Sequence, residues 1–554
     1  MDAKPVKIFE YFNGEKQSLI PLFQRPYSWW SKHWNALWDD LMQQYDPDYR
    51  SSHFMGAVVS VPAVSRPVGV AKHLVIDGQQ RLTTLSILLA AIRTKSEADG
   101  ATKTVNKITR YLTNPDEDTP DDLKLVPTQV DREAFKALVY NEDLENYEET
   151  KIVQGYYHFL AKLEGADEEG EPILAKEILD IICQSLEVVM INLAENDDPY
   201  LIFESLNHKG EPLTQSDLVR NYILMRFQHS TSSGGEQEEV YNQLWQPMEK
   251  ALDGLMSEFM RHYMMRLGRN VRKNEIYGSM KATIAPLTGV ADIKETLADM
   301  KRNAFVYAKL INPDTIGNAR IQSKIQALKE LDTTVFNPLI LRLYSAMEQE
   351  LISTDELVDC LSMIESFYLR RSLCGVPTNA LNNICLEICA QFPEEDIKSQ
   401  LHVKLNHGGG GRRWPSDEEF RDQFTRANVY SRKKIVKFLL VQLEASQGHK
   451  EPVSIEGATI EHLMPKTLTD EWKADLGENH EEVYGRLLDT VGNLTLTGYN
   501  SELGNLSFSE KKEKLENTHF EITRYVLSNE KWGETEILAR AEWLADTALT
   551  RWPK

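Results

Sequence analysis

The sequence predicts an α+β protein that is predominantly helical, and three observations along the chain support this fold class. Residues 73–76 are a short apolar run typical of a buried strand, and the leucines that follow recur at helical spacing. From about 240 to 400, amphipathic windows with little strand signal predict a helical connector. Beyond 400, two short β segments precede a helix. We therefore expect three regions, at 1–230, 231–400 and 401–554.

Length and composition are those of a globular protein with two or three domains, because 554 residues with 42% hydrophobic content can bury large cores. The sequence has no apolar run of about 18 residues and begins without a signal-peptide pattern. We therefore expect a soluble, cytoplasmic protein with no membrane partner. The five cysteines contain no CxxC pair, so we expect reduced thiols in the core.

The net charge of -22 argues against a protein that coats nucleic acid nonspecifically, because the overall field opposes contacts with phosphate. Any contact with DNA must therefore be local. The basic stretch from 401 to 440 is the best candidate, and its predicted DNA-binding residues are Arg412, Arg413, Arg432 and Lys433. The alternative is a solvated helix face beside a glycine loop.

A polar turn follows the predicted strand at 73–76 and precedes a helix, in the sequence Asp-Gly-Gln-Gln-Arg of residues 77–81. The first turn of a helix attracts anions, Gly78 permits close approach of the backbone, and Arg81 adds a charge that can bind phosphate. The alternative is a structural turn in which Asp77 accepts hydrogen bonds from backbone amides. The residues alone leave both interpretations open.

Two further N-terminal segments carry unusual polar and aromatic residues. In residues 23–30, Pro26 predicts an extended segment from which Arg25, Tyr27 and Trp29 project as hydrogen-bonding and stacking groups, although an aromatic core is an equal alternative. In residues 202–221, helix capping explains the glycine, threonine and aspartate at 210, 214 and 217. It does not explain Glu204 and Asn207.

The C-terminal region contains the strongest pattern for catalysis. Residues 459–465 read Thr-Ile-Glu-His-Leu-Met-Pro, residues 492–496 read Gly-Asn-Leu-Thr-Leu, and Asn500 and residues 508–511 follow. The order is that of a ββα-metal nuclease centre, with two short strands and a helix. Ser507 and Glu510 have the spacing of a capping box, which predicts that this helix runs from about 508 through Leu515. Hydrolysis of a phosphodiester needs a base to activate water and a hard cation at the phosphate oxygens.

In such a centre His462 is the general base, while Glu461 and Asn500 offer oxygens to Mg²⁺ or Mn²⁺. We expect Asn493 to brace the loop between the strands and Lys511 to lie near the phosphate, and we group both with His462 as catalytic residues. Taken singly, each residue has a structural alternative, because a lone histidine is more often a satisfied core residue than a base. The order and spacing together favour the nuclease interpretation.

The C-terminal pattern resembles the HNH-like domain of GmrSD-type, modification-dependent (type IV) restriction endonucleases, which have acid-His-x-x-Pro, GNLTL, Asn and FxxK in this order. Residues 413–420 are similar to the Trp-Pro-rich segment that precedes the motif in that family, so the resemblance covers roughly 401–554. The motifs QRPYSW, DGQQRLTTL and FExLNxxGxxLTxxDLxRN resemble the ParB-related N-terminal domain of the same family. Residues 368–375 are similar to a junction between the two.

The resemblance implies an N-terminal domain with an α/β fold like that of ParB, which binds an NTP and senses modified DNA. The implied nucleotide-binding residues are Arg25, Asp77, Gly78, Gln79, Gln80, Arg81, Thr84, Glu204 and Asn207. The implied contacts with DNA in this domain are Gln24, Tyr27 and Trp29. The nucleotide, ATP, GTP or CTP, stays open because the sequence has no Walker motif.

The resulting hypothesis is an antiphage, modification-dependent DNA endonuclease in which an NTP-hydrolysing sensor gates a metal-dependent HNH-like nuclease. A nucleotide-dependent DNA-binding switch like ParB, without cleavage, is one alternative. An RNA-cleaving effector that arrests infected cells is another. Cutting both strands with one active site favours a homodimer or sequential nicking.

Overall fold

The computed structural model describes residues 2–22, 24–45, 52–63, 70–114, 122–167, 170–193, 213–228, 235–448, 454–455, 457–498 and 500–554. At residues 2, 228, 235, 500 and 501 the description covers the backbone alone. The chain forms two compact units. Unit 1 comprises Met1–Gln246 and Met280–Lys294, and unit 2 comprises Pro247–Ser279 and Glu295–Lys554. The division into three regions stays a prediction.

Unit 1 contains a six-stranded mixed sheet among its described residues. Its strands are β1 (Asp2–Lys7), β2 (Lys16–Leu19), β3 (His53–Pro62), β4 (Ala71–Asp77), β5 (Leu125–Val126) and β6 (Leu186–Asn192). The order across the sheet is β1-β6-β3-β4-β2-β5. The pairs β6 with β3, β4 with β2 and β2 with β5 are parallel, and the other two pairs are antiparallel. Strand β4 confirms the strand predicted at 73–76.

The helices in the described part of unit 1 include one long central helix, Gln79–Ala98. They are α1 (Ile8–Phe12), α2 (Ser31–Tyr45), α3 (Gln79–Ala98), α4 (Thr102–Leu112), α5 (Arg132–Tyr140), α6 (Lys151–Leu163), α7 (Ala175–Gln184), α8 (Gln215–Gln228) and α9 (Gly235–Val240). Every residue of α3 from 82 to 92 is buried. A helix that is buried all round belongs to the core rather than to the surface. Helix α3 packs against α4, α6 and α7.

The connection from β4 to α3 is as tight as the sequence predicts. Gly78 has a φ of +94°, in the left-handed region that favours glycine. A Cβ on Gly78 would lie 3.0 Å from the carbonyl oxygen of Ala57 on β3. The glycine therefore lets the start of α3 approach the neighbouring strand.

Unit 2 is almost entirely helical. The helices that follow α9 are α10 (Gln246–Leu252), α11 (Met256–Met265), α12 (Ile276–Ile284), α13 (Val290–Ile311), α14 (Ala319–Glu330), α15 (Asn337–Glu348), α16 (Thr354–Leu373), α17 (Leu381–Ala390), α18 (Ile397–Leu405), α19 (Asp417–Arg426), α20 (Lys433–Ala445), α21 (Asp470–Leu476), α22 (His480–Leu487), α23 (Asn500–Leu503), α24 (Phe508–Leu515), α25 (Glu521–Leu527) and α26 (Glu534–Arg551). Helices α10, α12 and α13 contain residues of both units. Residues 240–400, all of which the structure describes, are free of strands, as predicted.

The two short strands of unit 2 form an antiparallel pair, β7 (Thr459–His462) and β8 (Leu494–Thr497), with His462 opposite Leu494. Leu494 and Leu496 of β8 are fully buried in the core formed with α20 and α26. Helix α24 begins with the predicted capping box, in which Ser507 and Glu510 each accept the backbone N–H of the other.

Helix α26 fixes the start of β8 through one buried arginine. The guanidinium of Arg540 is fully buried and donates to the carbonyl oxygens of Gly492 and Leu494, each at 2.8 Å. A Cβ on Gly492 would lie 2.2 Å from the carbonyl oxygen of Ile537. Only glycine at this position allows the close approach of α26, which explains the glycine of the Gly-Asn-Leu-Thr-Leu motif.

None of the helices in the described ranges is both long and apolar enough to cross a membrane. All five cysteines are free, and four of them are buried, in agreement with the predicted core thiols.

Candidate active site

His462 lies at the end of β7, and only 5% of its surface is exposed. Its Nε2 lies 3.0 Å from Oδ1 of Asp489. Because a carboxylate oxygen accepts, Nε2 carries the proton and Nδ1 keeps its lone pair. Burial lowers the pKa of His462, and the hydrogen bond to Asp489 only partly opposes this shift. The imidazole is therefore neutral near neutral pH and can accept a proton at Nδ1.

Asp489 is itself held in place by the segment that precedes α20. Its Oδ2 accepts from Nδ2 of Asn428 at 3.0 Å, and its carbonyl oxygen accepts from the backbone N–H of Val429 at 3.0 Å. Both carboxylate oxygens therefore have fixed partners. This support orients the ring of His462 in the way that carboxylates orient histidine ligands and bases in enzymes.

Glu461 and Lys511 form a buried ion pair beside this histidine. Nζ of Lys511 donates to Oε1 of Glu461 at 2.6 Å and to the carbonyl oxygen of His462 at 2.7 Å. Burial raises the pKa of Glu461, and the charge of Lys511 opposes this shift. Lys511 is fully buried, so its ammonium group supports β7 from the side of α24.

Asn493 is completely buried and uses its whole carboxamide to hold the chain after β7. Oδ1 accepts from the backbone N–H of Met464 at 2.7 Å and from Nε1 of Trp532 at 3.2 Å. Nδ2 donates to the carbonyl oxygens of Met464 at 3.0 Å and Leu488 at 2.8 Å. These contacts are those of the predicted brace between the two strands.

A tyrosine contacts the histidine on the side of α20, and two lysines lie close to this tyrosine. The ring of Tyr430 lies edge-on against His462, with centroids 4.4 Å apart. Nζ of Lys466 donates to the hydroxyl of Tyr430 at 3.0 Å and lies 4.5 Å from the ring centroid. Nζ of Lys433 lies 5.4 Å from the same centroid.

The four predicted DNA-binding residues of the basic stretch have different surroundings. Arg412 pairs with Glu387, and Arg413 pairs with Glu419 at 2.6 Å. Arg432 is exposed and donates to the carbonyl oxygen of Ser372. Of the four, Lys433 is the one that lies close to the ring of Tyr430.

In unit 1 the segment after Phe23 packs on the start of α3 through glutamine side chains. Nε2 of Gln24 donates to the carbonyl oxygen of Ile76 at 2.8 Å, and Nε2 of Gln79 donates to Oε1 of Gln24 at 3.0 Å. Oε1 of Gln80 accepts from the backbone N–H of Ser28 at 2.9 Å. Gln24, Gln79 and Gln80 are all buried, so they hold the two motifs together.

Tyr27 is also buried in this region. Its hydroxyl lies 2.7 Å from Oγ1 of Thr84 and accepts from Nε1 of Trp34 at 2.8 Å. Its backbone N–H donates to Oδ2 of Asp131 at 2.7 Å. Thr84 is fully buried, whereas Trp29 is half-buried and stacks on the ring of His33.

Three charged residues meet at the start of α3. Burial raises the pKa of Asp77, and the charges of Arg81 and Arg25 and the N–H of Gly78 oppose this shift. Nη1 of Arg81 donates to the carbonyl oxygen of Ala57 at 2.8 Å. Gly56 makes room for this guanidinium, because a Cβ there would lie 2.9 Å from Cζ of Arg81.

Glu204 and Asn207 lie outside the described residues. The predicted capping box at the start of α8 is confirmed, because Thr214 and Asp217 each accept the backbone N–H of the other. Asn500 begins the short helix α23, which packs against β7, but its side chain is outside the description.

The comparisons with known proteins match both ends of the chain. The family model described as the GmrSD restriction endonuclease N-terminal domain matches residues 8–224, and the GmrSD restriction endonucleases C-terminal domain matches residues 414–547. The chain belongs to the GmrSD restriction endonuclease family. No curated protein matches it. Membership of the GmrSD family implies a DNA substrate.

The GmrSD C-terminal match contains the histidine site, including residues that the sequence motif does not reveal. Asp489, Tyr430 and Lys466 surround His462 but belong to no recognised pattern. The only local signal is that Asp489 lies in the turn that leads to the Gly-Asn-Leu-Thr-Leu motif, and that Lys466 directly follows Pro465. Their proximity to the histidine comes from the packing of separate segments.

The site contains carboxylate oxygens, which are the type of ligand that a hard cation such as Mg²⁺ prefers. No group of three or more His, Cys, Asp or Glu side chains that could hold a metal ion occurs in the part of the chain that the structure describes. However, Mg²⁺ is often bound by one or two carboxylates together with substrate phosphates and water. Glu461 supplies a carboxylate of this type, whereas the carboxylate oxygens of Asp489 are already bonded to His462 and Asn428.

The brace made by Asn493 predicts a large effect on stability. Asn493→Ala leaves buried groups of Met464 and Trp532 without partners, so we expect the free energy of unfolding to fall by about 3 kcal/mol. Asn493→Asp keeps the shape but points a carboxylate at two carbonyl oxygens, so we expect a decrease of similar size. Urea unfolding of the full chain measures both variants. Wild-type stability of Asn493→Asp would contradict the bracing role.

Proposed function

We propose that the chain is a metal-dependent HNH-type DNA endonuclease whose cutting is controlled by an N-terminal, ParB-like domain that binds an NTP and senses modified DNA. The observation that carries the nuclease part is the neutral His462 imidazole, held by Asp489 at the end of the strand that also carries Glu461. The family match supports DNA as the substrate. Antiphage defence is the biological role that fits this activity.

His462 is the general base in this proposal. Nε2 donates to Asp489, so the lone pair of Nδ1 takes the proton of the attacking water. Burial keeps the imidazole neutral, which is the form that can accept a proton. Asp489 keeps the ring in one tautomer and one orientation throughout the proton transfer.

Glu461 and Asn500 would hold Mg²⁺ or Mn²⁺. The cation would neutralise charge on the phosphate oxygens. Lys511 and Asn493 act as positioning residues, because their contacts are with Glu461 and with the backbone of the loop after β7. Lys511 limits the freedom of the Glu461 carboxylate.

The start of α3 is the proposed site for the phosphates of an NTP. The first turn of a helix favours anions, and Arg25 and Arg81 bring two guanidinium groups to Asp77 at this point. The buried glutamines and Tyr27 hold the two motifs together. Nucleotide binding that changes this packing would change how the sensor responds to DNA, since a ligand shifts a conformational balance only by binding one state more tightly.

His462→Ala should reduce DNA cleavage by about 100-fold or more, because the variant has no group to take the proton from water. We expect NTP hydrolysis to be retained. The assay is cleavage of unmodified, glucosylated and phosphorothioated DNA with Mg²⁺, with and without NTP. His407→Ala is a matched control, because His407 is exposed.

Full-rate cleavage by the His462→Ala protein would contradict the role of His462 as base. Cutting of modified DNA alone would support the sensor. An absence of cutting on every substrate, with NTP hydrolysis intact, would favour a DNA-binding switch over a nuclease.

Asp489→Ala should lower kcat for cleavage by roughly 10-fold to 100-fold and leave KM for DNA near the wild-type value, because the variant frees the ring of His462 without removing it. Asp489→Asn should restore part of the activity, since its carbonyl oxygen can still accept from Nε2. Steady-state cleavage kinetics give both constants. Wild-type kcat in Asp489→Ala would remove Asp489 from the site.

Arg81→Ala should reduce NTP hydrolysis, because the variant lacks a guanidinium at the proposed phosphate site. Phosphate release measures the rate, and thermal unfolding measures the effect of removing the hydrogen bond from Arg81 to Ala57. Arg110→Ala makes the same change at an exposed position on α4 and should leave turnover unchanged. Wild-type turnover in a folded Arg81→Ala protein would exclude Arg81 from the nucleotide site.

A further inference from the structure

We propose that Tyr430, Lys433, Lys434, Lys437 and Lys466 form one surface, the Tyr430 strip, that holds backbone phosphates of the DNA strand next to His462. This inference rests on the proposed nuclease function and adds the path of the substrate. It keeps Lys433 from the sequence prediction for this region and leaves out Arg412, Arg413 and Arg432. Three independent observations support it.

The first observation is how the positive charges between 401 and 440 are used. Most arginines there are paired with acids of the same unit: Arg412 with Glu387, Arg413 with Glu419, Arg421 with Glu542 and Asp546, and Arg426 with Asp422. The four lysines of the strip are exposed, and no described carboxylate lies within ion-pair distance of them. A net charge of -22 already favours solubility, so solubility does not explain a cluster of lysines without acidic partners.

The second observation is the position of these lysines on α20. Lys433 and Lys434 are its first two residues, the first turn contains no acidic residue, and no side chain caps the helix. The positive end of the helix dipole disfavours cations at these positions. Lys433 and Lys437 are also like charges four residues apart, which adds a smaller cost. A bound anion would remove these costs, because the helix end and the lysines would attract it together.

The third observation is the direct link from this surface to the proposed base. Tyr430 contacts the imidazole of His462 on its edge and binds Lys466 through its hydroxyl. The charge of Lys466 acts on both Glu461 and His462. A phosphate bound between Lys433 and Lys466 would therefore lie beside the residues proposed to cut the strand, and Tyr430 offers a ring on which a sugar or base can rest.

Salt dependence of DNA binding tests the strip. Equilibrium binding of a labelled DNA duplex is measured by fluorescence anisotropy over a series of salt concentrations, in a His462→Ala background so that the DNA stays intact. In this background we compare the double variant Lys433→Gln/Lys466→Gln with Arg421→Gln, which is the control. Arg421→Gln also removes one positive charge from this region, but that charge is already paired with two acids.

We expect the slope of log K against log salt to fall by about 0.9 for each phosphate that the variant no longer binds, hence by about 2 in the double variant. Binding at low salt should weaken, and Arg421→Gln should keep the parent slope. A double variant with the same slope as Arg421→Gln would overturn the proposal. If circular dichroism shows that the double variant is unfolded, the exposed pair Lys434→Gln and Lys437→Gln provides the same comparison.

The two proposals fail in different ways. An unchanged salt slope, together with loss of cleavage in His462→Ala, would reject the strip and leave the nuclease assignment intact. Cleavage that survives His462→Ala would reject His462 as the base of the proposed nuclease site, whatever the salt slope shows.

Discussion

The carboxamide of Asn493 is the interaction on which the candidate active site depends. It joins the start of β8 to the chain that leaves β7, so that His462 and Asp489, far apart in sequence, keep a fixed distance. Three of its four hydrogen bonds are buried and the fourth is partly buried, and a buried polar group without a partner costs about 1 to 3 kcal/mol. The loop therefore has one stable conformation. Arg540 also stabilises this loop, because its guanidinium donates to the carbonyl oxygens of Gly492 and Leu494.

The positively charged side chains of unit 2 are of two kinds: some form ion pairs with acidic residues, and others have no acidic partner among the described residues. Lys511 is buried on Glu461, and Arg421 is balanced by two acids on α26, so these cations stabilise the protein itself. The exposed lysines at the start of α20 gain nothing comparable from the fold, because the helix dipole opposes them. A protein that repels polyanions as a whole can still bind DNA strongly over a short distance, because fields from exposed groups fall off within about 10 Å.

Local sequence signals predicted much of the fold and part of the site. The strand β4, the turn at Gly78 and the capping boxes at Ser507 and Thr214 depend on residues close in sequence, and all are confirmed. Asp489, Tyr430 and Lys466 could not be predicted, because their contacts join segments 27 to 36 residues apart and no periodic pattern marks them. The same limit applies to Gln24 and Gln79, whose hydrogen bond joins residues 55 positions apart.

The motif residues of both units therefore fall into two groups with different physical roles. Gln24, Tyr27 and Thr84 in unit 1, and Asn493 and Lys511 in unit 2, are buried and bonded to protein groups, so they fix the shape of a site. Trp29 in unit 1 and Lys433 in unit 2 keep surface that a ligand can reach. Rigid support lowers the cost of binding, since fewer groups must be ordered when the ligand arrives. Several motif residues of this chain thus stabilise the loops of a site and do not contact a ligand. The residues that determine substrate specificity are to be sought among the exposed neighbours of these buried residues.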